Sequence, residues 1–451
     1  MENKKKIVLP FFILLLSVQL KAQIDVGEKQ KNDTVEPQPK VPFDGYDLTW
    51  INGQNRQTDF PLTVKDKQGA TIFTAVGFID CYYNYDFNNP QDNTHTISSS
   101  IGRNNEFTVN MTSIGIESYY KNAIGRLWLQ YGQMASIVQD LDGSVNHGRN
   151  TSISNLKYIR EAVAGYHFDK WYGVNLEMGI FTSYIGLESY VQNENWCYQR
   201  SMPCEFTPFY FSGARLQAYL NKKIKQEVWL LNGWQTYNGW NKTIGIGSST
   251  YYRPNTNVQF VANFYFAGHD TRNIPGLLRF HHDHSVVLRY YNKPGNKHIS
   301  QAAFSINNHY GFQAGNGVNP KDQYMLATSL TNRLWFAHNK LALTLRGDYV
   351  TNPGAYLAFS PSPVTLNDYT DAISKGRILT LFQGTATFDI MPTQYTTFRL
   401  EYGYRNSNIP YFAGSGGTTS PDGWVNTPVN SWRPDLQKNE SRITIAVTFR
   451  I

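Results

Sequence analysis

Only 3 cysteines occur in 451 residues, so no disulfide framework can organise this fold. Two of them, Cys197 and Cys204, sit seven apart in one loop and form the pair that an oxidising compartment would close. Charge is sparse as well. Asp, Glu, Lys and Arg make up 17 % of the chain, the net charge is +7, and no basic cluster exists to hold nucleic acid. Beyond the first 22 residues no apolar run approaches the roughly 20 residues that a membrane-spanning helix requires. A mean hydropathy of −0.44 excludes a helical membrane protein. It does not exclude a barrel, whose strands show only every second residue to lipid. Signatures of a phosphate loop, a zinc-ligand pattern and a nucleophile elbow are all missing. The glycine-rich Gly414–Gly417 lacks the lysine and the strand–helix setting of a phosphate site and reads as a turn-rich loop.

What is present begins with Lys4, Lys5 and Lys6, an apolar stretch from Ile7 to Val18, and Ala22, which together read as a signal peptide over residues 1–22. Residues 23–45 are rich in Lys, Gln, Asp and Pro and read as a disordered periplasmic leader. Residues 46–70 form a polar-aromatic stretch, a periplasmic cap or plug. From 71 to 451 the chain settles into a rhythm of strand-like segments joined by turns that are short, then long, then short again. The short turns fall at Lys121–Asn122, Asp169–Lys170, Asn221–Lys223, Pro254–Asn257, Lys293–Lys297, His338–Lys340 and Met391–Thr393. Between them lie long Asn/Gly/Ser/Pro-rich connections. Short turns on one side and long loops on the other are the mark of a transmembrane antiparallel up-and-down β-barrel. About 16 strands fit, within a range of 14–18. Aromatic residues at 15 %, 30 of them Tyr, suit the two lipid–water interfaces such a barrel must cross.

Side-chain alternation fixes which face of a strand meets lipid. Leu341, Leu343, Leu345 and Tyr349 share one face, opposite Thr344, Arg346 and Asp348. Phe398, Leu400, Tyr402 and Tyr404 oppose Arg399, Glu401 and Arg405. An arginine turned to lipid at the midplane costs about 2–4 kcal/mol, so the charges belong in the lumen. Arg126, Glu177, Arg215, Arg289, Arg346, Asp348, Arg399, Glu401 and Arg405 are accordingly the candidate pore-lining residues. Arginine exceeds acid nine to five among all inward candidates in the sequence, which include Asp80, Glu161, Arg279, Arg442 and Arg450. That excess predicts a mild preference for anionic or neutral polar solutes. The loop from Ser183 to Glu205, with Tyr184, Tyr190, Trp196, Tyr198 and Arg200, is the candidate constriction. Cys81 falls on a lipid-facing position. Two segments break the pattern: Asn105–Tyr119 changes parity between Met111 and Ile114, as a bulge would make it do, and Val258–Ala267 is apolar on both faces. His282 and His284 share a strand face that offers two metal-type ligands, although a solvated strand end explains them equally, and no metal is assigned.

Several segments carry a family resemblance. They are GFIDCYYNYDFNNP (Gly77–Pro90), EAVAGYHFDKWYGVN (Glu161–Asn175), GIFTSYIGLESY (Gly179–Tyr190), NGW (Asn232–Trp234), LRGDYVTNPG (Leu345–Gly354) and PYFAGSGGTTSPDGW (Pro410–Trp424). The chain resembles, over nearly its whole mature length, the second of the families called putative β-barrel porins, uncharacterised proteins of Gram-negative outer membranes. That resemblance implies an outer-membrane barrel and neither a known substrate nor catalytic residues. The reading is a porin for passive, weakly selective diffusion of small polar solutes through a watery lumen, with a plugged or adhesive barrel as the alternative and an outer-membrane enzyme behind it. Its partners would be outer-membrane lipid, the barrel-assembly machinery acting on the C-terminal strand, and further copies in a homotrimer. No nucleic acid and no cofactor is expected, and both termini would be periplasmic.

Overall fold

The computed structural model describes residues 40–51, 56–95, 98, 100–140, 142, 153–238, 243–266, 276–354, 356–357, 378–419 and 433–451. The segments read from sequence as a signal peptide and most of the leader lie outside these residues. Sixteen strands form the wall: β1 (Thr71–Asp86), β2 (Phe107–Tyr120), β3 (Ala123–Tyr131), β4 (Ile159–Phe168), β5 (Val174–Thr182), β6 (Tyr210–Asn221), β7 (Ile224–Leu231) and β8 (Gly245–Asn255) make its first half. The second half is β9 (Val258–Phe266), β10 (Leu278–Asn292), β11 (Ile299–Ala314), β12 (Tyr324–Phe336), β13 (Leu341–Asn352), β14 (Leu379–Ile390), β15 (Thr396–Ser407) and β16 (Asn439–Arg450). Each strand pairs antiparallel with its sequence neighbours, and β16 pairs with β1 from Arg442↔Asp86 to Arg450↔Phe78, so the sheet closes without an edge. Closure satisfies every ladder hydrogen bond internally, which a membrane demands.

The alternation read from sequence sets the two faces. Leu345, Leu400 and Ile445 are 56 %, 50 % and 57 % exposed, while their neighbours Arg346, Glu401 and Thr444 are buried. The outside is the greasy face and the inside the polar one, the reverse of a soluble protein. All seven short turns join strands on one side. At the tightest, Lys121 and Asn122 both take positive φ (48° and 65°), the geometry of a two-residue hairpin turn whose twist matches the strands it links.

Both irregular segments resolve. In β2 the register slips between Asp80↔Met111 and Cys81↔Val109, leaving Asn110 as the extra residue of a bulge. Asn110 and Met111 are then both buried inside and parity changes there. In β9 the buried face is Gln259, Val261, Asn263 and Tyr265, and Phe260 and Phe266 face outward. Cys81 also faces outward, half-buried among its neighbours.

Order begins earlier than the composition of the leader suggests. From Lys40 the chain runs along the rim of short turns. Phe43 N–H donates to Lys222 O (3.1 Å), Tyr46 Oη to Pro254 O (3.2 Å) and Asp47 N–H to Thr256 Oγ1 (3.0 Å). Further on Arg56 donates to Thr393 O and Thr396 O, and Thr63–Lys65 adds a short strand to β1. Residues 40–51 and 56–65 thus lie across the short-turn end as a cap, with Trp50 and Ile51 buried against Trp335 and Met391. At the opposite end, the helix Gln133–Asp140 packs over the mouth together with Ile101, Tyr356, Leu357, Tyr411 and Phe412 from the described parts of the loops after β1, β13 and β15.

Leu345→Arg places a charge on the outer face of β13 at mid-strand and is expected to destabilise the barrel by about 2–4 kcal/mol. Folding in lipid vesicles, followed by gel mobility with and without heating, measures this. Unchanged folding would contradict the facing of β13.

The lumen, its inward loop and the charges that hold it

The third long loop, residues 183–209, turns into the barrel instead of away from it. Cys197, Tyr198, Gln199, Met202 and Cys204 are fully buried. Inside a closed barrel this loop has no strand to pair with, and buried backbone groups left unpaired are costly. Wall side chains take over that task. Glu401 on β15 accepts from Tyr198 N–H (2.6 Å) and Gln199 N–H (3.1 Å). Asp348 on β13 accepts from Met202 N–H (3.2 Å), and Asp283 on β10 from Gly186 N–H (3.1 Å). Arginines cover the carbonyls. Arg346 donates to Gln199 O (2.8 Å) and Arg200 O (3.1 Å), Arg333 to Trp196 O (2.9 Å), and Arg399 to Gln192 O and Asn195 O (3.2 and 3.0 Å).

Ion pairs within the wall keep these donors in place. Arg442 lies 2.8 Å from Glu401, Arg399 is 2.6 Å from Asp389, Arg346 is 3.1 Å from both Glu188 and Asp348, and Arg405 pairs with Glu440. The bulge in β2 serves the same loop. Asn110 donates to Asp80 (2.8 Å), whose carboxylate also receives the Tyr198 hydroxyl at 3.0 Å. Burial, with Asp80 and Tyr82 beside it, pushes the Tyr198 phenol well above its ordinary range and keeps it a donor.

Charged side chains therefore divide the lumen into two sides. All nine sequence-predicted residues project inward, but seven lie under the loop, under the cap or within ion pairs. The side chains of Arg346, Asp348 and Glu401 are 0 % exposed, Glu177 and Arg405 1 %, Arg289 2 % and Arg399 6 %. Arg126 and Arg215, at 20 % and 14 %, remain accessible. Arg289 is held by Asp47 of the cap at 2.6 Å. Burial alone would raise the Asp47 carboxyl, but hydrogen bonds from Thr49 and Arg289 hold it below its ordinary value. The loop leans on β10–β16, touches β3 and β7 through Tyr190 on Gln130 and Tyr184 on Trp229, and leaves part of the wall of β3–β8 accessible, where Glu161 and Lys225 join Arg126 and Arg215 at 14 % and 17 % exposure.

Among the described residues, cavities lie beside the loop and at the short-turn side of the lumen. One of about 430 Å³ sits at the short-turn side between Phe60, Arg126, Glu177 and Arg450. A second of about 150 Å³ lies between Tyr184, Tyr190, Arg200, Tyr251 and Gln259. A third of about 170 Å³ lies over the cap between Trp50, Trp196 and Arg399. Glu194 lines the second and third, and it pairs at 3.0 Å with Arg450, which lines the first. The pair is a partition between them. Glu194 escaped the sequence reading because a lone acid in a loop carries no periodic signal.

Of the constriction candidates, all five are buried inside. Tyr184 stacks on Trp229 with ring centroids 4.9 Å apart and donates to Phe264 O (2.9 Å). Tyr190 packs edge-on against Phe209, and Trp196 donates from Nε1 to Trp50 O at 3.2 Å, joining loop to cap. Arg200 donates to Thr207 Oγ1 (3.0 Å). The expected Cys197–Cys204 bridge is corrected: both cysteines are free thiols. The cause is their docking. Cys204 Sγ lies 3.6 Å from Asn307 on β11, while Cys197 is turned toward Thr387 on β14. Burial pushes both thiols up to about 12, so they stay protonated.

A closed sixteen-stranded barrel, greasy outside and charged inside, with one loop folded into the lumen, is an outer-membrane porin of the Gram-negative type, a passive channel. The chain belongs to the family described as Putative beta-barrel porin-2, OmpL-like, whose model matches residues 73–450. Among solved structures it is similar to the outer membrane channel DcaP of Acinetobacter baumannii at 10 % identity, covering 86 % of this chain and 99 % of that one with a TM-score of 0.50. It is also similar to the anion-selective porin from Comamonas acidovorans at 8 % identity, covering 84 % and 99 %, with a TM-score of 0.50. At such identities the likeness concerns the fold. No curated protein matches the chain.

Titration of the folded protein with a membrane-impermeant maleimide should leave Cys197 and Cys204 unlabelled, and both should label after denaturation without reductant. A pair that labels only once reductant is added would restore the bridge.

Proposed function

We propose that solutes cross through the crescent between the inward loop and the wall of β3–β8, and that small polar molecules pass there with weak charge preference. The graded exposure carries this reading, because accessible charged side chains occur on that wall while the opposite wall is spent on holding the loop. Charge there balances once buried partners are counted: Arg126, Arg215, Lys225 and Arg450 stand against the accessible Glu161 and Glu194 and the buried Glu177 and Glu227, with ion pairs joining them. The anionic preference drawn from counting arginines is therefore withdrawn. Glu188, Glu194, Glu227, Asp389 and Glu440 also face the lumen, and among the described residues eight of the nine inward arginines are paired with acids. Rings of one sign of charge, which select ions in a pore, are not what this crescent offers.

A second reading has its own observation. Loop and cap meet through Trp196 and Trp50, which favours a plugged barrel with a structural task. Conductance of the purified protein in planar bilayers separates the two: discrete steps with a reversal potential near zero under a salt gradient support the channel, and silence supports the plug. Glu194→Gln removes the partition between the cavities and should raise the single-channel conductance. An unchanged step size would move the route elsewhere.

The remaining partners follow from the outer face. Most strands present apolar side chains to lipid, but at mid-height His284, Asn308 and Thr328 form a register-matched polar row across β10, β11 and β12. Polar groups facing lipid are expensive, so this row supports subunit contact in a homotrimer. Asn308→Leu should leave folding intact and shift the detergent-solubilised protein, measured by light scattering, from trimer toward monomer. Both ends of the barrel lie on the short-turn side, which supports periplasmic termini, and the alternation of β16 suits recognition by the barrel-assembly machinery.

A further inference from the structure

The strand face that carries two histidines in the sequence, His282 and His284, looks outward. The inner face of the same strand holds a different cluster. His281 and Asp283 on β10 and His309 on β11 are buried, and one ligand-type atom from each lies within 4.8 Å of the others. We propose that these three residues bind a divalent transition-metal ion of the zinc class.

Geometry fits first. His281 Nε2 and His309 Nδ1 stand 3.0 Å apart. Two nitrogens bound to one zinc at about 2.0–2.1 Å in tetrahedral geometry lie roughly 3.4 Å apart, so a shift of a few tenths of an ångström brings the two imidazoles into place, and the Asp283 carboxylate, within 4.8 Å of both, would close in on the ion. The far nitrogen of each ring is already held, as the second shell of a metal site requires. His281 Nδ1 meets Tyr356 Oη at 2.7 Å, and His309 Nε2 meets Asn307 Oδ1 at 2.7 Å. Asn307 gives its amide N–H to His284 O (3.3 Å), which leaves Oδ1 as the acceptor and puts the His309 proton on Nε2. The lone pair of His309 Nδ1 then points into the cluster. Space for Tyr356 is made by Gly311, since a Cβ there would collide with the Tyr356 hydroxyl and lie 2.7 Å from His281 Nδ1.

Charge fits second. Asp283 is fully buried, and among the described residues no lysine or arginine lies within ion-pair distance of it. Its hydrogen bonds come from neutral groups, Gly186 N–H and the Asn263 amide. A buried carboxylate without a cation costs several kcal/mol, and a divalent ion between it and two imidazoles removes that cost. Two neutral imidazoles and a carboxylate are the ligand set that zinc accepts, with a fourth position left for water. The consequence reaches the channel, because Asp283 holds Gly186 of the inward loop and Tyr356 belongs to the loop after β13. An ion here ties both loops to the wall.

The test uses the full mature chain in detergent, refolded with and without Zn²⁺, dialysed, and assayed for bound metal by mass spectrometry. One zinc per folded chain is expected. His309→Ala should weaken binding at least tenfold, and the His282→Ala/His284→Ala double variant on the outer face should bind as the wild type does. Absence of stoichiometric zinc in the wild type, its retention in His309→Ala, or its loss in the outer-face variant would overturn the site. Should His309→Ala not fold, Co²⁺ in the wild type decides: intense visible bands of a tetrahedral or five-coordinate ion support the assignment, and the faint spectrum of a hydrated ion defeats it.

Discussion

A loop placed inside a closed sheet has nothing to pair with, and most of this lumen follows from that. The wall's backbone is used up in its own ladder, so the buried N–H and C=O groups of residues 183–209 that short turns within the loop do not satisfy depend on side chains. Glu401, Asp348 and Asp283 supply acceptors; Arg333, Arg346 and Arg399 supply donors. Arginine suits this work because its planar fork reaches two carbonyls at once while still bonding a carboxylate behind it.

From this comes a division of labour between two halves of one cylinder. Where the loop rests, charges are satisfied by backbone and by each other. Where it does not rest, similar residue types stay partly accessible. The same inward arginine is thus buried beneath the loop on β13 and partly accessible on β6, and only the position of the loop tells them apart.

That distinction marks how far the sequence could be read. Turn rhythm and alternation located all sixteen strands within a few residues, because both arise from local geometry and from the cost of a charge in lipid. The bulge was visible as a slip in parity. Other features depended on contacts between distant residues. Nothing near Arg346 announces that Gln199 and Arg200 will lie upon it, and nothing near Cys197 says that its thiol will turn toward β14 while Cys204 turns toward β11. Glu194 and the inner pair His281–His309 were missed for the same reason: each acquires its partner from another element. On β10 the sequence drew attention to the outward histidines, while the convergent ones needed β11 beside them.

The segment from Lys40 to Lys65 touches the turn before β7, the turn before β9 and the turn before β15, and then pairs with β1 beside the β16 seam. Its binding surface is assembled from pieces that meet only when the cylinder has been sealed. Though it precedes every strand in the chain, its seat is complete only when the barrel is. The lid on this vessel is cut first and fitted at the end.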